Sequence, residues 1–376
     1  MKAKIVHVIT GLGDGGAEAV LVRLCKNSHD FEHVVISLTG AGKYGKVLED
    51  LDIKLYFLNA GFSLLSLLNL LKLPILLKQE KPDIVQTWMY HADLVGGIAA
   101  KLAGIRRISW GIRRSSLKRK NTKLFTIGIA YLCALLSRWI PNVIVCCANK
   151  ARTTHVKIGY DPSKMVIIQN GYDLSFFYPS SCQRLALRKA LDIGDNTFLI
   201  GNVSRYDYNK DHNNLLKALN ILSQRNLDFI CLLIGANIVK ENNILSQSIA
   251  NLDLKEKIIL LGQRDDIPAI MNSIDIHVLS SRSEGFPNVV AEAMACGTVS
   301  ISTNVGDASE IVDTPESICA IEDPISLANA ILKVAHEWQE GERKWQQRKQ
   351  NCSKKIKTKF DLATMVKLYE RVWLDS

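Results

Sequence analysis

The sequence predicts an α/β protein with two Rossmann-like, doubly wound domains in tandem. Short continuous runs of Val, Ile and Leu alternate with helix-like segments along the chain of 376 residues. Runs without polar interruptions suit strands that are buried on both faces of a parallel sheet. The alternation starts again after about residue 180, and the length fits two domains of ordinary size.

Each predicted domain has its own series of strands. The first series lies at 5–9, 34–38, 53–57, 83–86, 142–147 and 165–168, and the second at 198–203, 229–234, 258–261, 275–279 and 298–302. Turn-forming residues between about 170 and 181 separate the two series. We therefore predict domains at 1–176 and 177–357, facing across a cleft that is the expected ligand site.

Charge is concentrated in the first half of the chain. Residues 1–180 contain 24 Lys and Arg against 12 Asp and Glu, whereas residues 181–376 contain 23 against 25. A basic domain suits an anionic partner such as lipid headgroups, a phosphorylated substrate or nucleic acid, and plain solubility is the alternative. Nucleic acid is the weakest of these hypotheses, because the basic stretch lacks interleaved aromatic residues and no reader motif occurs.

Cysteine usage and hydropathy favour a cytoplasmic protein. The nine cysteines form no Cys-x-x-Cys pair, so neither a disulfide framework nor a zinc site is expected. No signal peptide is visible at the N-terminus. The apolar stretches at 62–77 and 124–137 are too short or too interrupted to span a bilayer, which requires about 20 apolar residues.

A glycine-rich segment, Gly11-Leu12-Gly13-Asp14-Gly15-Gly16-Ala17-Glu18, follows the first strand and opens a helix. It matches the Gly-x-Gly-x-x-Gly pattern of dinucleotide-binding folds, which also need an acidic residue after the second strand to hold a ribose. Here that strand ends in Thr39-Gly40, so NAD(P) binding is a secondary hypothesis. The glycines still predict close backbone approach to an anionic ligand at the helix start.

Two further motifs follow strands of the second domain. Arg205 and Lys210 come after the strand at 198–203, where ligands bind in open α/β sheets, and together they can bind a diphosphate. Glu284 and Glu292 come after the strand at 275–279, the first in a loop and the second one turn into a helix. Carboxylates accept hydrogen bonds from sugar hydroxyls, and a helix start suits phosphate. The alternatives are a solvated loop and a capped surface helix.

In these motifs the chain resembles the retaining glycosyltransferases of family 4, which have the two-domain GT-B fold. The resemblance covers nearly the whole chain. It rests on the Glu-x7-Glu pair within 284–293 and on the order and spacing of the other motifs. The matching segments are Gly15-Gly16-Ala17-Glu18, Trp88-Met89-Tyr90-His91-Ala92-Asp93, Asn170-Gly171-Tyr172-Asp173, Arg205 with Lys210, and Leu261-Gly262-Gln263-Arg264-Asp265-Asp266-Ile267.

The resemblance implies a nucleotide sugar as donor, with UDP favoured over GDP. Arg205 and Lys210 would hold the diphosphate and stabilise the leaving group, Glu284 would contact the donor sugar, and Glu292 the ribose. The remaining donor contacts would fall on Gly15, Gly16, Gln263, Arg264 and the backbone of Phe286, Pro287, Asn288 and Val289. Pre-placed cations can stabilise the departing diphosphate without a metal, and no convincing Asp-x-Asp motif is present. We therefore expect neither a metal nor a cofactor.

One departure from the family pattern concerns the first domain. Many members carry a histidine just after the fifth strand, where this chain has Gly111 or a neighbour within one or two positions. His91, at the end of the fourth strand, is our substitute catalytic candidate. A local hydrogen-bonding role at the helix start is the alternative for this residue.

The acceptor side is expected to be a lipid-linked glycan in surface polysaccharide or lipopolysaccharide assembly. Basic residues that include Arg113, Arg114, Lys118 and Arg119, together with the leucine-rich stretch at 63–77, predict peripheral contact with an anionic membrane at its cytoplasmic face. A terminal helix at 358–376 is expected to return to the first domain. An inactive transferase-like scaffold and a sugar-nucleotide epimerase of the same architecture are the alternatives.

Overall fold

The structure is a computed structural model that describes residues 2–61, 66, 68–117 and 122–375. The chain divides into two compact units: unit 1 comprises Met1–Gly171 and Leu362–Ser376, and unit 2 comprises Tyr172–Asp361. The predicted limits are 176 and 357. The division falls instead at Gly171 and Asp361, because Tyr172 and Asp361 pair as a parallel bridge within unit 2.

Unit 1 is built on a seven-stranded parallel sheet in the order β3-β2-β1-β4-β5-β6-β7. Its strands are β1 (Ala3–Ile9), β2 (Phe31–Ser37), β3 (Lys54–Phe57), β4 (Ile84–Trp88), β5 (Arg107–Ile112), β6 (Val143–Cys146) and β7 (Met165–Ile167). Its helices are α1 (Gly16–Asn27), α2 (Tyr44–Glu49), α3 (Lys72–Glu80), α4 (Met89–Leu102), α5 (Leu124–Leu136) and α6 (Asn149–Lys157). The strand order reverses between β1 and β4, so the loops that follow these strands meet at a topological switch point.

Unit 2 is built on a six-stranded parallel sheet in the order β10-β9-β8-β11-β12-β13. Its strands are β8 (Leu199–Val203), β9 (Ile230–Ile234), β10 (Ile258–Leu260), β11 (Ile276–Leu279), β12 (Val299–Thr303) and β13 (Ile318–Cys319). Its helices are α7 (Ser181–Ala190), α8 (His212–Gln224), α9 (Asn243–Asn251), α10 (Ile267–Ser273), α11 (Asn288–Ala295), α12 (Ala308–Ile311), α13 (Pro324–Glu340) and α14 (Glu342–Lys359). Here the order reverses between β8 and β11, which brings together the two loops that carry Lys210 and Glu284.

The last helix, α15 (Leu362–Asp375), belongs to unit 1. Its buried side chains, among them Tyr369 and Trp373, join the core formed by α1, β1, β2 and β4. Trp373 Nε1 donates to Gln86 Oε1 at 3.2 Å, and Glu370 Oε1 accepts from Ser28 Oγ at 2.7 Å. Because the aromatic face of α15 is buried, the helix is an integral part of the unit and not an appended tail.

Two further features concern the cysteines and the membrane-spanning potential of the helices. All nine cysteines are free thiols, and eight of them are buried, where they pack as small apolar side chains. Among the residues that the structure describes, no helix combines the length and the apolar character needed to cross a bilayer.

Candidate functional site

The loop after β8 is a compact structure with its own caps. Asp207 begins a single 3₁₀ turn over Tyr208–Lys210, where its carboxylate accepts from the backbone N–H of Asn209 at 2.9 Å. Asp211 follows with φ +50° and caps α8. Arg205 projects from the start of this loop with 56% of its side chain exposed, and its Nε lies 3.9 Å from Asp207 Oδ2. The loop therefore fixes the position of Lys210 and leaves Arg205 accessible to a ligand.

Lys210 and Glu284 form a direct ion pair at the switch point of unit 2. Lys210 Nζ lies 2.7 Å from Glu284 Oε1, and the two side chains are 18% and 15% exposed. The same carboxylate oxygen accepts from Ser281 Oγ at 2.7 Å, and Ser280 Oγ donates to the carbonyl of Lys210 at 2.9 Å. The loops after β8 and β11 are thus joined by both charge and neutral hydrogen bonds.

Arg282 is a residue of this site that sequence reasoning missed. Its backbone N–H donates to the carbonyl of Asn209 at 2.7 Å, and its guanidinium donates to the carbonyl of Tyr208 at 2.7 Å. The same group pairs with Asp211 at 2.7 Å and Glu322 at 2.9 Å. Arg282 therefore holds the Lys210 loop against the Glu284 loop. The motif Ser281-Arg282-Ser283 is visible in the sequence, but its partners become identifiable only once β8 and β11 are neighbours.

The segment from Gly285 to Glu292 is positioned by a close backbone approach. Gly306 has φ +52°, and a Cβ at this position would collide with the carbonyl of Gly285. Pro287 caps α11, which starts at Asn288 as predicted and carries a partly buried Glu292 in its second turn. The close approach of Gly306 and the start of α11 fix the segment within unit 2 without requiring a ligand.

The predicted donor-binding residues around the start of α11 have different surroundings. The Phe286 ring is buried and packs edge-on against Phe360 at 5.6 Å, so its side chain anchors the loop. Asn288 Oδ1 accepts from the Tyr172 hydroxyl at 2.7 Å. Pro287 is buried, and Val289 is partly buried. Only the backbone of this segment was assigned to the donor, and that assignment stays a prediction.

Gln263 and Arg264 lie in the loop between β10 and α10. Arg264 makes a two-point pair with Asp266, with Nε to Oδ1 at 2.8 Å and Nη2 to Oδ2 at 2.6 Å. Asp266 is the N-cap residue of α10, so the guanidinium lies beside the helix start in this structure. Gln263 is exposed. A contact of this loop with a nucleotide base stays a prediction for both residues.

Two histidines lie buried close to Lys210. His212 Nε2 is 3.2 Å from Ser204 Oγ, and neither ring nitrogen of His277 has a hydrogen-bond partner within the described part of the chain. Burial, with a smaller contribution from the charge of Lys210, lowers the pKa of His212 to about 4 and that of His277 to about 3. Both rings are therefore neutral at pH 7, and the positive charge beside them belongs to Lys210.

In unit 1 the glycine-rich loop lies between β1 and α1, as predicted. Gly15 is the N-cap residue and Gly16 the first residue of α1. A Cβ at Gly15 would collide with the carboxylate of Glu18, which folds back over the helix start. Glu18 must turn away before this helix start can accept an anion, because like charges would otherwise share the position. The phosphate contact of Gly15 and Gly16 stays a prediction.

His91 lies in the first turn of α4, directly after β4. The chain enters this helix through Met89, whose φ of +70° is unusual for a residue with a side chain. The half-buried His91 ring is 6.1 Å from the Phe125 ring of α5. Burial lowers the pKa of His91, and the nearby Arg114 lowers it further. The ring is therefore neutral at pH 7, and its catalytic role stays a prediction.

Gly111 fills its position in β5 without room for a side chain. A Cβ there would lie 2.7 Å from the carbonyl oxygen of Thr87 on β4. The backbone N–H of Gly111 donates to Asp93 Oδ1 at 3.2 Å, and Thr87 Oγ1 donates to the same oxygen. Burial raises the pKa of Asp93 to about 8. A histidine at Gly111 would displace β4, so the family histidine has no counterpart at this position.

Arg113, which is predicted to face a membrane, has partners within unit 1. Its Nη1 donates to Asn170 Oδ1 at 2.8 Å and its Nη2 donates to the Tyr369 hydroxyl. Its guanidinium lies 4.7 Å from the Trp88 ring centre, which allows a cation–π interaction. These partners all belong to unit 1, so Arg113 ties α15 to the sheet and is not a surface cation.

The other residues predicted to face a membrane divide into two groups. Arg114 is exposed, and its position agrees with a role at the surface. Lys118 and Arg119 lie outside the described residues. The membrane-facing role of Arg114, Lys118 and Arg119 therefore stays a prediction.

One buried cluster in unit 1 has the residue types of a metal site. Ligand atoms of His7, Cys25 and His33 lie within 4.8 Å of one another. However, Trp88 Nε1 donates to His7 Nδ1 at 3.3 Å, and His33 Nε2 lies 3.0 Å from the carbonyl oxygen of Ser28. Since the other two ring nitrogens have these roles, His7 Nε2 donates to His33 Nδ1 at 3.0 Å. This chain of hydrogen bonds satisfies both rings in their neutral forms, so a metal is not needed to explain the cluster.

Comparison with known families follows the two-unit division of the chain. Residues 14–176 match the model described as Glycosyltransferase Family 4, and residues 183–352 match the model described as Glycosyl transferases group 1. Together the two models span most of the chain. The protein is a glycosyltransferase of family 4. The recognition made from the sequence motifs is thereby confirmed.

Relatives of the enzyme include transferases of bacterial glycan assembly. It is 29% identical to the UDP-Gal:alpha-D-GlcNAc-diphosphoundecaprenol alpha-1,3-galactosyltransferase of Escherichia coli over 318 residues, which cover 82% of this chain and 79% of the relative. It is 24% identical to the capsular polysaccharide glycosyltransferase CapM of Staphylococcus aureus, over 72% of this chain and 71% of the relative.

Solved structures confirm the predicted fold. The structure of Anabaena HepE with UDP and glucose has a TM-score of 0.85 and 22% identity, with both chains fully covered. WaaG, a glycosyltransferase of lipopolysaccharide biosynthesis, has a TM-score of 0.74 and 13% identity, over 97% of this chain and 98% of the other. The family 4 enzyme therefore has the GT-B fold.

Proposed function

We propose that this enzyme is a retaining, metal-independent transferase that moves a hexose or N-acetylhexosamine from a UDP-sugar to a lipid-linked glycan. The observation that carries the proposal is the Lys210–Glu284 pair at the switch point of unit 2. A cation and a carboxylate fixed within 2.7 Å of each other provide one group for a diphosphate and one for sugar hydroxyls. UDP is favoured over GDP because the Escherichia coli relative is named as a UDP-Gal enzyme and HepE was solved with UDP.

The chemistry requires only groups that this site provides. The bond between the sugar C1 and the β-phosphate oxygen breaks, and its electron pair leaves with UDP. The acceptor hydroxyl attacks C1 from the same face, and its proton passes to the leaving phosphate oxygen. Lys210 and Arg205 stabilise the developing negative charge, while Glu284 orients the sugar. No enzyme nucleophile or metal takes part in this sequence of steps.

The acceptor belongs to bacterial surface glycan assembly. Two relatives are named as transferases acting on diphosphoundecaprenol-linked glycans, the Escherichia coli enzyme and an N-acetylgalactosaminyltransferase of Campylobacter jejuni. A polyprenyl-diphosphate anchor remains in the bilayer, so an enzyme that extends its glycan works at the membrane surface. We place the activity at the cytoplasmic face, where nucleotide sugars are available.

A transfer assay tests this function. The enzyme is incubated with UDP-galactose, UDP-glucose, their N-acetyl analogues or GDP-mannose, a short-chain prenyl-diphosphate GlcNAc acceptor, and EDTA. We expect one UDP-sugar to be consumed and the product to retain the α-configuration of the donor, as read from the anomeric proton coupling. Glu284→Gln should abolish transfer, and Glu256→Gln, which changes an exposed carboxylate in the same unit, should not.

The outcomes separate the alternatives. A β-linked product contradicts retention, and loss of activity in EDTA contradicts metal independence. Conversion of one UDP-sugar into another without an acceptor identifies an epimerase. Nucleotide binding with no turnover of any donor identifies an inactive scaffold.

A further inference from the structure

An apolar stripe runs along the exposed side of α5 in unit 1. The exposed side chains recur at the spacing of one helix face and continue into the turn that follows the helix. They are Leu124, Phe125, Tyr131, Leu132, Leu135 and Trp139. Phe125 is 75% exposed and Trp139 63%, which is far from the usual environment of such side chains. The opposite side of the helix is small and buried, so the stripe is a fixed feature of the surface.

The neighbouring helices extend the apolar surface. α4 packs against both α3 and α5, so the three helices cover the same face of the sheet. Ile98 and Leu102 of α4 are exposed, and so is Ile75 of α3. Exposed apolar side chains on three neighbouring helices indicate an interaction site.

The charge around this surface is mostly positive, with Asp161 beside the end of α5 as an acidic exception. Residues 94–160 contain 13 Lys and Arg and no Asp or Glu. Lys101, Arg106, Arg107, Lys123 and Arg138 are exposed at the ends of α4 and α5. Glu80, at the end of α3, is buried and paired with Lys54. The surface therefore offers apolar side chains bordered by cations, the combination that complements an anionic lipid bilayer.

Lys164 closes the end of α5 with three hydrogen bonds. Lys164 Nζ donates to the carbonyls of Ser137, Arg138 and Pro141 at 3.2, 2.6 and 2.9 Å. These bonds satisfy backbone acceptors at a helix end that would otherwise need water. They also hold the turn that presents Trp139, an aromatic residue of the kind enriched at membrane interfaces.

We propose that the α5 stripe, from Leu124 to Trp139, inserts into the headgroup region of an anionic bilayer with its helix axis parallel to the surface. The 13 residues of α5 span about 20 Å, too short to cross the hydrocarbon core of about 30 Å. Phe125 at the start of the stripe lies beside His91, so docking presents the first turn of α4 to the lipid surface. The proposal refines the membrane contact of the proposed function, and it replaces Arg113 as the docking element.

Vesicle binding tests the proposal directly. The enzyme is sedimented with vesicles of phosphatidylglycerol and phosphatidylethanolamine or of phosphatidylcholine alone. The triple variant Phe125→Ser, Leu135→Ser, Trp139→Ser should lose more than about tenfold in binding to the anionic vesicles. A matched triple variant of exposed apolar residues in unit 2, Leu185→Ser, Ile244→Ser and Ile325→Ser, should bind as the wild type does. Equal binding of all three proteins would overturn the proposal.

A fluorescence measurement keeps the test independent of folding. Trp139 is the most exposed of the six tryptophans, and Trp88, Trp110, Trp345 and Trp373 are buried. Lipids brominated near the headgroup should quench the Trp139 emission, and Trp139→Phe should bind with much less quenching. Unquenched binding of the wild type contradicts insertion. A wild-type dimer that the triple variant dissociates would assign the face to a second copy instead.

The docking proposal and the proposed function can be rejected independently of each other. Transfer to a water-soluble acceptor analogue with no vesicle binding rejects the docking proposal and retains the proposed function. Vesicle binding with no transfer to any acceptor rejects the proposed function and retains the docking surface.

Discussion

Lys210 Nζ lies 2.7 Å from Glu284 Oε1, and the two residues come from loops that are 74 positions apart in the chain. The pair exists because β8 and β11 are neighbours at the switch point of the unit 2 sheet. Both side chains retain some exposure, so a ligand can reach them. The proposed donor site is therefore already assembled in the fold and does not have to be formed by a ligand.

Removing the lysine charge tests the role of this pair in the reaction. We expect Lys210→Ala to lower kcat by an amount similar to the loss of an oxyanion-hole donor, about 2–4 kcal/mol or 30- to 1000-fold. Lys217→Ala removes an exposed charge from the following helix and should retain activity. Initial rates and thermal unfolding are measured on both. Wild-type turnover of the Lys210 variant would exclude it as the leaving-group partner.

Arg282→Ala should damage the geometry of the site and the stability of unit 2. The substitution leaves the carboxylate of Asp211, whose side chain is 1% exposed, without its arginine. Breaking such a buried pair costs about 3–5 kcal/mol, whereas an exposed pair contributes about 1 kcal/mol or less. Arg264→Ala breaks the more exposed pair with Asp266 and is the control. Equal losses in the free energy of unfolding for the two variants, measured with denaturant, would contradict the role of Arg282 in joining the two loops.

The buried histidines predict a stability that falls in acid. Burial lowers the pKa of five of them, His7, His33, His155, His212 and His277. The unfolded chain binds protons near pH 6.5 and the folded chain does not, so their contribution is complete above 6.5 and is lost as the pH falls. The free energy of unfolding should therefore decrease from pH 6.5 to 5. A flat profile over this range would contradict the neutral, buried rings.

The raised pKa of Asp93 makes stability change with pH in the opposite direction, so this residue serves as an internal control. Its pKa is raised to about 8, so the folded chain holds a proton that the unfolded chain has released at neutral pH. Stability should then fall as the pH rises from 6.5 to 8, by up to about 1.4 kcal/mol per unit. Asp93→Asn removes this group, so the slope that it contributes should disappear over the whole range from about pH 4 to 8, where the folded and unfolded chains differ by one proton. Parallel profiles for the variant and the wild type would exclude a protonated Asp93.

Gly111 is predicted to be intolerant of any side chain. The Cβ of Gly111→Ala meets the Thr87 carbonyl at 2.7 Å, and such overpacking costs about 1–3 kcal/mol. Gly128→Ala on α5 has no atom within 4 Å of the new Cβ and should stabilise the helix by up to about 1 kcal/mol. Unfolding midpoints are compared for the two. A neutral Gly111→Ala would reopen this position to the family histidine.

The strands and the donor-site motifs were predictable because their signals are local. Buried parallel strands require continuous apolar runs, and residues at strand ends are placed by the strand order. The two-residue strand β13 has too short a run to be recognised. β5 is missing from the predicted series of apolar runs, because Ser109 and Gly111 interrupt its apolar side chains. The helix start at Asn288 was marked by the preceding Gly285 and Pro287.

The rest of the site depends on contacts that a single sequence does not display. Arg282 and Arg113 look like surface cations in the sequence, and both acquire fixed partners only when distant strands and α15 come together. The carboxylate of Glu18 over Gly15 likewise follows from side-chain geometry. The exposure of the α5 stripe could not be predicted, because an apolar helix of 13 residues is typical of a buried one.

The measurement that tests the central claim most directly is nucleotide binding, measured by thermal unfolding of the wild type and of Lys210→Ala. UDP, GDP, ADP, CMP, NAD and NADP are compared at the same concentration. A ligand at about 100 times its Kd stabilises the folded state by about 2.7 kcal/mol. We predict a shift with UDP that is reduced in the variant. A shift with NAD or NADP, or an equal UDP shift in both proteins, would contradict a UDP-sugar site built around Lys210 and Glu284.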